Sequence, residues 1–212
     1  IVISGGSKIK GAKKIKQIPR ELISSVPVMI TPQKRCFHIV RPEIAKSQCK
    51  ILFFNKNCEK DTQIKEQLAI ATRILSGGLD SLLYRILREK LNLVYSVSCS
   101  AEIEPYGIFI EIDWSCDTKK VKKSILSIFS VIKKFDTIHY DGHKALLIEQ
   151  LIRNNLLTSQ DIVDIYGNDL VTWGYYKEIK DTVKGVKKIK AQEVREVVKK
   201  YMEPKNSLFI HM

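Results

Sequence analysis

Arg88 and Tyr95 stand seven positions apart across a stretch that passes from a helical pattern into a strand-like one. Side chains from two different elements can converge at such a junction, and both are hydrogen-bond donors. A plain reading stays open beside this one. Arg88 falls to the side of an apolar stripe and suits a solvated helix surface, while Tyr95 alternates with Leu93 and Val97 and suits core packing. His139 and His143 have the i, i+4 spacing that sets two metal ligands on one helix face, but no third ligand lies nearby, and Asp141-Gly142 resembles a helix start. They are read as surface histidines at a cap. His38 and His211 fall in strand-like runs as core or edge residues. No serine occupies a G-x-S-x-G elbow, and the lysine of a phosphate loop is absent. Gly77-Gly78 precedes a helix N-terminus, which suits either an anion cradle or an ordinary helix-to-helix turn.

The elements that must position these residues follow from periodicity. Cys36–Val40 and Cys49–Phe54 read as strands, and the run Ile51-Leu52-Phe53-Phe54 is expected at the centre of a sheet. Asp61 or Thr62 caps a helix carrying Ile64, Leu68, Ala71, Ile74 and Leu75, which ends at Gly77. Asp80 caps the next helix, whose apolar positions are Leu82, Leu83, Ile86, Leu87 and Leu91. Leu93–Ala101 and Gly107–Trp114 alternate as an antiparallel hairpin with a longish connection, Tyr95 sharing a face with Leu93, Val97, Cys99 and Ala101. Helices are expected at about 118–135, 141–157, 160–176 and 191–202, and a last strand at 207–212. Hairpin-connected strands with the helices collected elsewhere predict an α+β fold of two layers, a mainly antiparallel sheet with helices packed on one face.

The 212 residues, 44% of them hydrophobic, are enough to bury one substantial core, as one large domain or two small ones. No run reaches the length of a membrane span, and the start lacks a signal-peptide layout. The chain begins with isoleucine, so it is read as a fragment or a processed product. Its formal charge of +13 raises nucleic acid and acidic partners as possibilities, but the lysines lack the aromatic interleaving of a base-stacking platform and are read as solvated surface. The segment 9–16 nearly recurs at 183–190; compositional bias explains the echo, with two basic docking patches as the sharper alternative. Pro19, Pro27 and Pro32 mark a linker. Cys36, Cys49, Cys58, Cys99 and Cys116 are odd in number and form no C-x-x-C, which favours free thiols in a reducing compartment such as the cytoplasm or an organelle matrix.

One resemblance covers nearly the whole chain. It is carried by Ile74-Leu75-Ser76-Gly77-Gly78, Ser81-Leu82-Leu83-Tyr84, Leu87-Arg88-Glu89-Lys90 and Leu93-Val94-Tyr95-Ser96-Val97, with Gln48 before them and Tyr106–Ile110 and Lys200–Pro204 after. This order resembles the non-zinc, inactive domain of the pitrilysin/insulinase-type zinc metallopeptidases. The zinc motif of that family, H-x-x-E-H, does not occur here. The resemblance implies a domain that binds no cofactor itself and closes over a zinc-bearing homologous domain, in the same polypeptide or on a separate subunit. It implies that Arg88 holds carbonyl oxygens of a peptide substrate and that Tyr95 donates a hydrogen bond to a carbonyl or developing oxyanion. Tyr84 would line a side-chain pocket, and Gly77 and Gly78 would form a loop near the substrate. It also implies that residues 1–34 are the end of an upstream zinc-type domain and a linker, and 35–212 the substrate-binding domain.

The resulting expectation is the non-catalytic part of a zinc metalloendopeptidase, inactive alone. The alternatives are a proteolytically inactive structural or regulatory subunit of the same fold, and a basic binding module for nucleic acid or acidic partners.

Overall fold

A strand buried on one side alternates apolar and polar residues, and the sheet is built from such strands. The structure is a computed structural model that describes residues 36–38, 46–56, 63–104, 107–153, 163–164, 166–167, 169–170, 174–175 and 177–211. The expected strand at 1–4, the lysine-rich copy at 9–16, the proline linker, the boundary at 34/35 and the Asp61-Thr62 cap lie outside those residues, as does most of the helix expected at 160–176. The strands are β1 (Cys36–His38), β2 (Lys46–Asn55), β3 (Val94–Glu104), β4 (Gly107–Asp117) and β5 (Ser207–His211). They form one sheet in the order β1-β5-β2-β4-β3. Only β1 and β5 run parallel; the other neighbours are antiparallel. The run 51–54 lies in the central strand β2, as its unbroken apolar character predicts.

Helices α1 (Ile64–Ser76), α2 (Val121–Lys133), α3 (Tyr140–Arg153), α4 (Ile179–Lys188) and α5 (Ala191–Tyr201) accompany the sheet, together with a π-helix at Tyr84–Lys90. Ile51, Phe53, Ile110, Ile112 and Trp114 point from the sheet into one core with Leu68 and Ile74 of α1, Leu83 and Leu87 beside or in the π-helix, and Ile128 of α2. Burying a side chain of that size stabilises by about 1.5–3 kcal/mol. The alternate residues of β2 and β4 make a different surface. There Lys50 pairs with Glu111 at 2.7 Å and Asp113 at 3.4 Å, and the rings of Phe54 and Phe109 lie 4.9 Å apart. The architecture is therefore α+β, with helices packed against the apolar face of a mainly antiparallel sheet.

Several local expectations are corrected. Gln63, without a side-chain cap bond, stands at the N-cap of α1, and Leu83 precedes the π-helix where Asp80 was expected to cap. The hairpin connection is short, because Glu104 pairs with Gly107. Helix α4 is additional to the expected set. Its apolar residues Ile179, Val183 and Val186 keep helical spacing, but they are embedded in lysine-rich sequence that reads as compositional bias. His143 is buried, at 1% exposure, while His139 is exposed with φ of 61°. The cap reading therefore holds for the surface placement of only one of the pair.

Candidate functional site

The segment from Ser76 to Val97 is pinned at both ends. The Ser76 hydroxyl accepts a 2.7 Å hydrogen bond from the Cys99 N–H, tying the end of α1 to β3. The Gly77 N–H donates to the Arg73 carbonyl at 2.6 Å and closes the helix. A Cβ at Gly77 would lie 2.7 Å from that same oxygen, and Gly78 has φ of 147°, so the turn needs both glycines. Ser81, fully buried, donates its hydroxyl to the Gly78 carbonyl at 2.7 Å. Gly77-Gly78 is thus a tight helix-to-helix turn whose first N–H is already used, and the exposed side chain it presents is Leu79.

The next helix widens. The Leu91 N–H reaches back to the Ile86 carbonyl at 3.0 Å and the Leu93 N–H to the Leu87 carbonyl at 2.7 Å, bonds longer in sequence than the α-helical spacing. Leu83 and Leu87 keep the core side of this turn completely buried. Tyr84 and Arg88 follow one another on another edge, with the guanidinium carbon 5.0 Å from the centre of the half-buried tyrosine ring. That contact orients the exposed arginine without consuming its N–H groups. Among the described residues, no carboxylate pairs with Arg88.

Asn92, with φ of 48°, turns the chain from the helix into β3. A bulge follows: Val94 pairs with Cys116 and Ser96 with Ser115, leaving Tyr95 as the extra residue. The expected face of β3 is corrected by that insertion. Leu93 and Val94 are both buried, Val97, Cys99 and Ala101 pack against the core, and Tyr95 leaves them to stand 45% exposed.

The tyrosine has its own polar surroundings. Its hydroxyl donates to Asp117 Oδ1 at 2.5 Å, and the Lys46 ammonium lies 4.4 Å from its ring centre. Lys120 completes the group, 3.0 Å from Asp117 Oδ2 and donating to the Asn92 carbonyl at 3.1 Å. The bond from Tyr95, helped by Lys120, holds the Asp117 carboxyl below its ordinary range, and the same bond to Asp117 pushes the Tyr95 phenol up. Tyr95 therefore stays a neutral donor near neutral pH, and Lys46 and Lys120 supply positive charge on either side. The structure brings Tyr84 to Arg88 and places Tyr95 with Lys46, Asp117 and Lys120. The register of the β3–β4 hairpin, carried back from its turn, was the signal that would have put Asp117 near Tyr95.

Other reactive residues are packed away. Cys49 and Cys116 are buried on β2 and β4, where the hydrogen bond that the Cys49 thiol donates to Cys116, and then burial, push that thiol up. Burial likewise pushes up Cys99. Among the described residues, no group of three or more His, Cys, Asp or Glu side chains is placed to hold a metal ion. No described helix is long and apolar enough to cross a membrane.

The fold is shared with solved proteases and related chains. A protease from Helicobacter pylori superposes with a TM-score of 0.71 at 14% identity, over 88% of this chain and 46% of that one. A conserved protein from Enterococcus faecalis gives 0.67 at 17% identity, over 88% and 43%. A peptidase M16 inactive domain from Pseudomonas fluorescens gives 0.63 at 15% identity, over 83% and 42%. At these identities the likeness is one of fold, and the chain spans less than half the length of each of these structures. No curated protein sequence matches significantly. A family model for the peptidase M16 inactive domain matches residues 9–140, in which Tyr84, Arg88 and Tyr95 all fall. The chain thus belongs to the peptidase M16 inactive-domain family, the non-catalytic domain of zinc proteases.

Proposed function

We propose that this chain is the substrate-binding, non-catalytic part of a zinc metalloendopeptidase, working beside a zinc-bearing homologous domain in the same polypeptide or on a partner subunit. The observation that carries the reading is the exposure of Arg88 and Tyr95 by two irregular elements, a π-helix and a β-bulge, inside the segment that resembles the family's substrate-binding motif. Irregularities of both kinds recur beside functional sites, because they re-aim a side chain without moving the scaffold.

In this reading Arg88 holds peptide carbonyl oxygens with N–H groups that serve no carboxylate among the described residues. Tyr95 exchanges its bond to Asp117 for one to a substrate carbonyl or to the oxyanion that forms as water adds. Lys46 and Lys120 favour negative charge at the same place. Zinc in the complementary domain would supply the activated water, and Tyr84 would hold the arginine while lining a side-chain pocket. The Gly77-Gly78 turn sets where the π-helix begins.

The test is peptide hydrolysis by the chain reconstituted with its zinc-bearing domain. Arg88→Ala and Tyr95→Phe should each lower kcat/KM about 100-fold, the lower end of the range for losing a transition-state donor. Circular dichroism and melting should remain as in the parent. Unchanged cleavage in both variants would sink the assigned roles, and a reconstituted pair that never cleaves would favour a structural subunit.

A further inference from the structure

The helical layer contains a seam that the residues above do not use. Between the π-helix and α2 lies a groove of about 310 Å³, with Leu82, Ile86, Leu91 and Val131 as its apolar lining. Lys90, Lys134, Ser127 and Ser130 supply its polar edge. Positions 82, 86 and 90 run along the helix two residues out of phase with Tyr84 and Arg88, and so occupy the opposite flank. The groove is therefore separate from the proposed substrate edge.

Its charge is one-sided. The stretch 118–134, which includes α2, carries six lysines and no acid, and the facing stretch 82–91 has Arg85, Arg88 and Lys90 against Glu89 alone. Among the described residues, Lys120 is the one of these cations paired with a carboxylate. Lys90 and Lys134 are exposed, with no such partner among the described residues. Like charges facing each other across an apolar seam repel, and a ligand that carries negative charge relieves the repulsion. The floor asks for something more than an anion. It gains when an aliphatic or aromatic side chain displaces water from Leu82, Ile86, Leu91 and Val131. Among the described residues no aromatic ring lines the groove, which argues against the stacking platform of a single-stranded nucleic-acid site.

We propose that this groove is a docking site for an acidic peptide segment, which inserts an apolar side chain between the π-helix and α2 and sets its carboxylates against Lys90 and Lys134. Ser127 and Ser130 offer hydroxyl groups to its backbone. The proposal does not depend on the peptidase reading, because it uses the other flank of the helix and asks nothing of a zinc-bearing partner.

Fluorescence anisotropy on the full chain tests it with a fluorescein-labelled peptide rich in Glu and Asp around a central Leu-Phe pair. Binding is expected at low salt, weakening as salt rises, and about tenfold or more weaker when the acids are replaced by glutamine. Lys90→Glu combined with Lys134→Glu should weaken binding of the acidic peptide by about tenfold or more. Ser127→Phe, which fills the groove from its edge and leaves every charge in place, should weaken it as well. Melting curves identify any variant that fails to fold, and the charge reversal, made at exposed positions, then decides alone. Absence of binding at low salt would overturn the proposal. So would unchanged affinity in both folded variants, or tighter binding to an oligo-dT probe or to phosphatidylserine vesicles than to the peptide.

Discussion

Tyr95 reaches solvent because β3 contains one residue more than β4 has partners for between Val94 and Ser96. An uninterrupted alternation would have turned the ring into the core with Val97, and the bulge exposes it beside Asp117, Lys46 and Lys120. At the same scale His143 makes a different kind of prediction. Its ring is buried and both nitrogens lack hydrogen-bond partners among the described residues, while Asp80 Oδ2 stands 3.9 Å from Nε2 and Arg73 and His139 add opposing positive charge. Burial is the main cause that pulls its affinity for a proton below the ordinary imidazole value of about 6.5. The unfolded chain therefore binds the proton first as pH falls, and stability present above about pH 6.5 declines below it until the folded form is protonated too. Urea melts from pH 7.5 down to 5 should show that decline, and His143→Phe should flatten it. An identical slope in the variant would remove His143 as its cause.

The elements around Tyr84 and Arg88 depend on where the π-helix starts, and the turn at Gly77-Gly78 decides that. Gly77→Ala would push a Cβ to 2.7 Å from the Arg73 carbonyl oxygen and 2.8 Å from the Arg73 Cα, both backbone atoms of α1 that cannot swing aside. Destabilisation of about 1–3 kcal/mol is expected, as for a locally strained backbone, measured as a lower urea midpoint with an unchanged slope. An unaltered midpoint would show that the turn relaxes freely. The glycine pair and the apolar stripe were legible as a helix end and a helix start. The widening to a π turn was not, because Leu82, Leu83, Ile86 and Leu87 fit an α-helical stripe equally well. The groove between this element and α2 was also beyond reach, since it exists only once the two helices have packed side by side.

At the scale of the molecule, one apolar face joins β2, β4 and the helices. Trp114 is its largest fully buried side chain, with its Nε1–H donating to Ser124 at 2.9 Å and its ring stacked 6.0 Å from Phe209 of β5. Trp114→Ala should cost about 3–5 kcal/mol through the cavity it leaves and the lost indole bond to Ser124, whose hydroxyl keeps its bond to the Val121 carbonyl, read from thermal and urea unfolding together. A loss below 1 kcal/mol would mean that the sheet and helices repack around the gap. Alternation in Gly107–Trp114, the unbroken run in β2 and the glycine turn were enough to determine an α+β molecule with a central β2, because burial on one face of a sheet imposes period two on the sequence. The spacing of Arg88 and Tyr95 and the resemblance around them were legible for the same local reason. What only the tertiary structure decided depends on contacts between residues far apart in the chain: the parallel pairing of β1 with β5, the bulge that exposes Tyr95, the burial of His143 against the turn before the π-helix, and the lysine-edged groove. Each is set by how one element is packed against another, and no local period in the sequence carries that information.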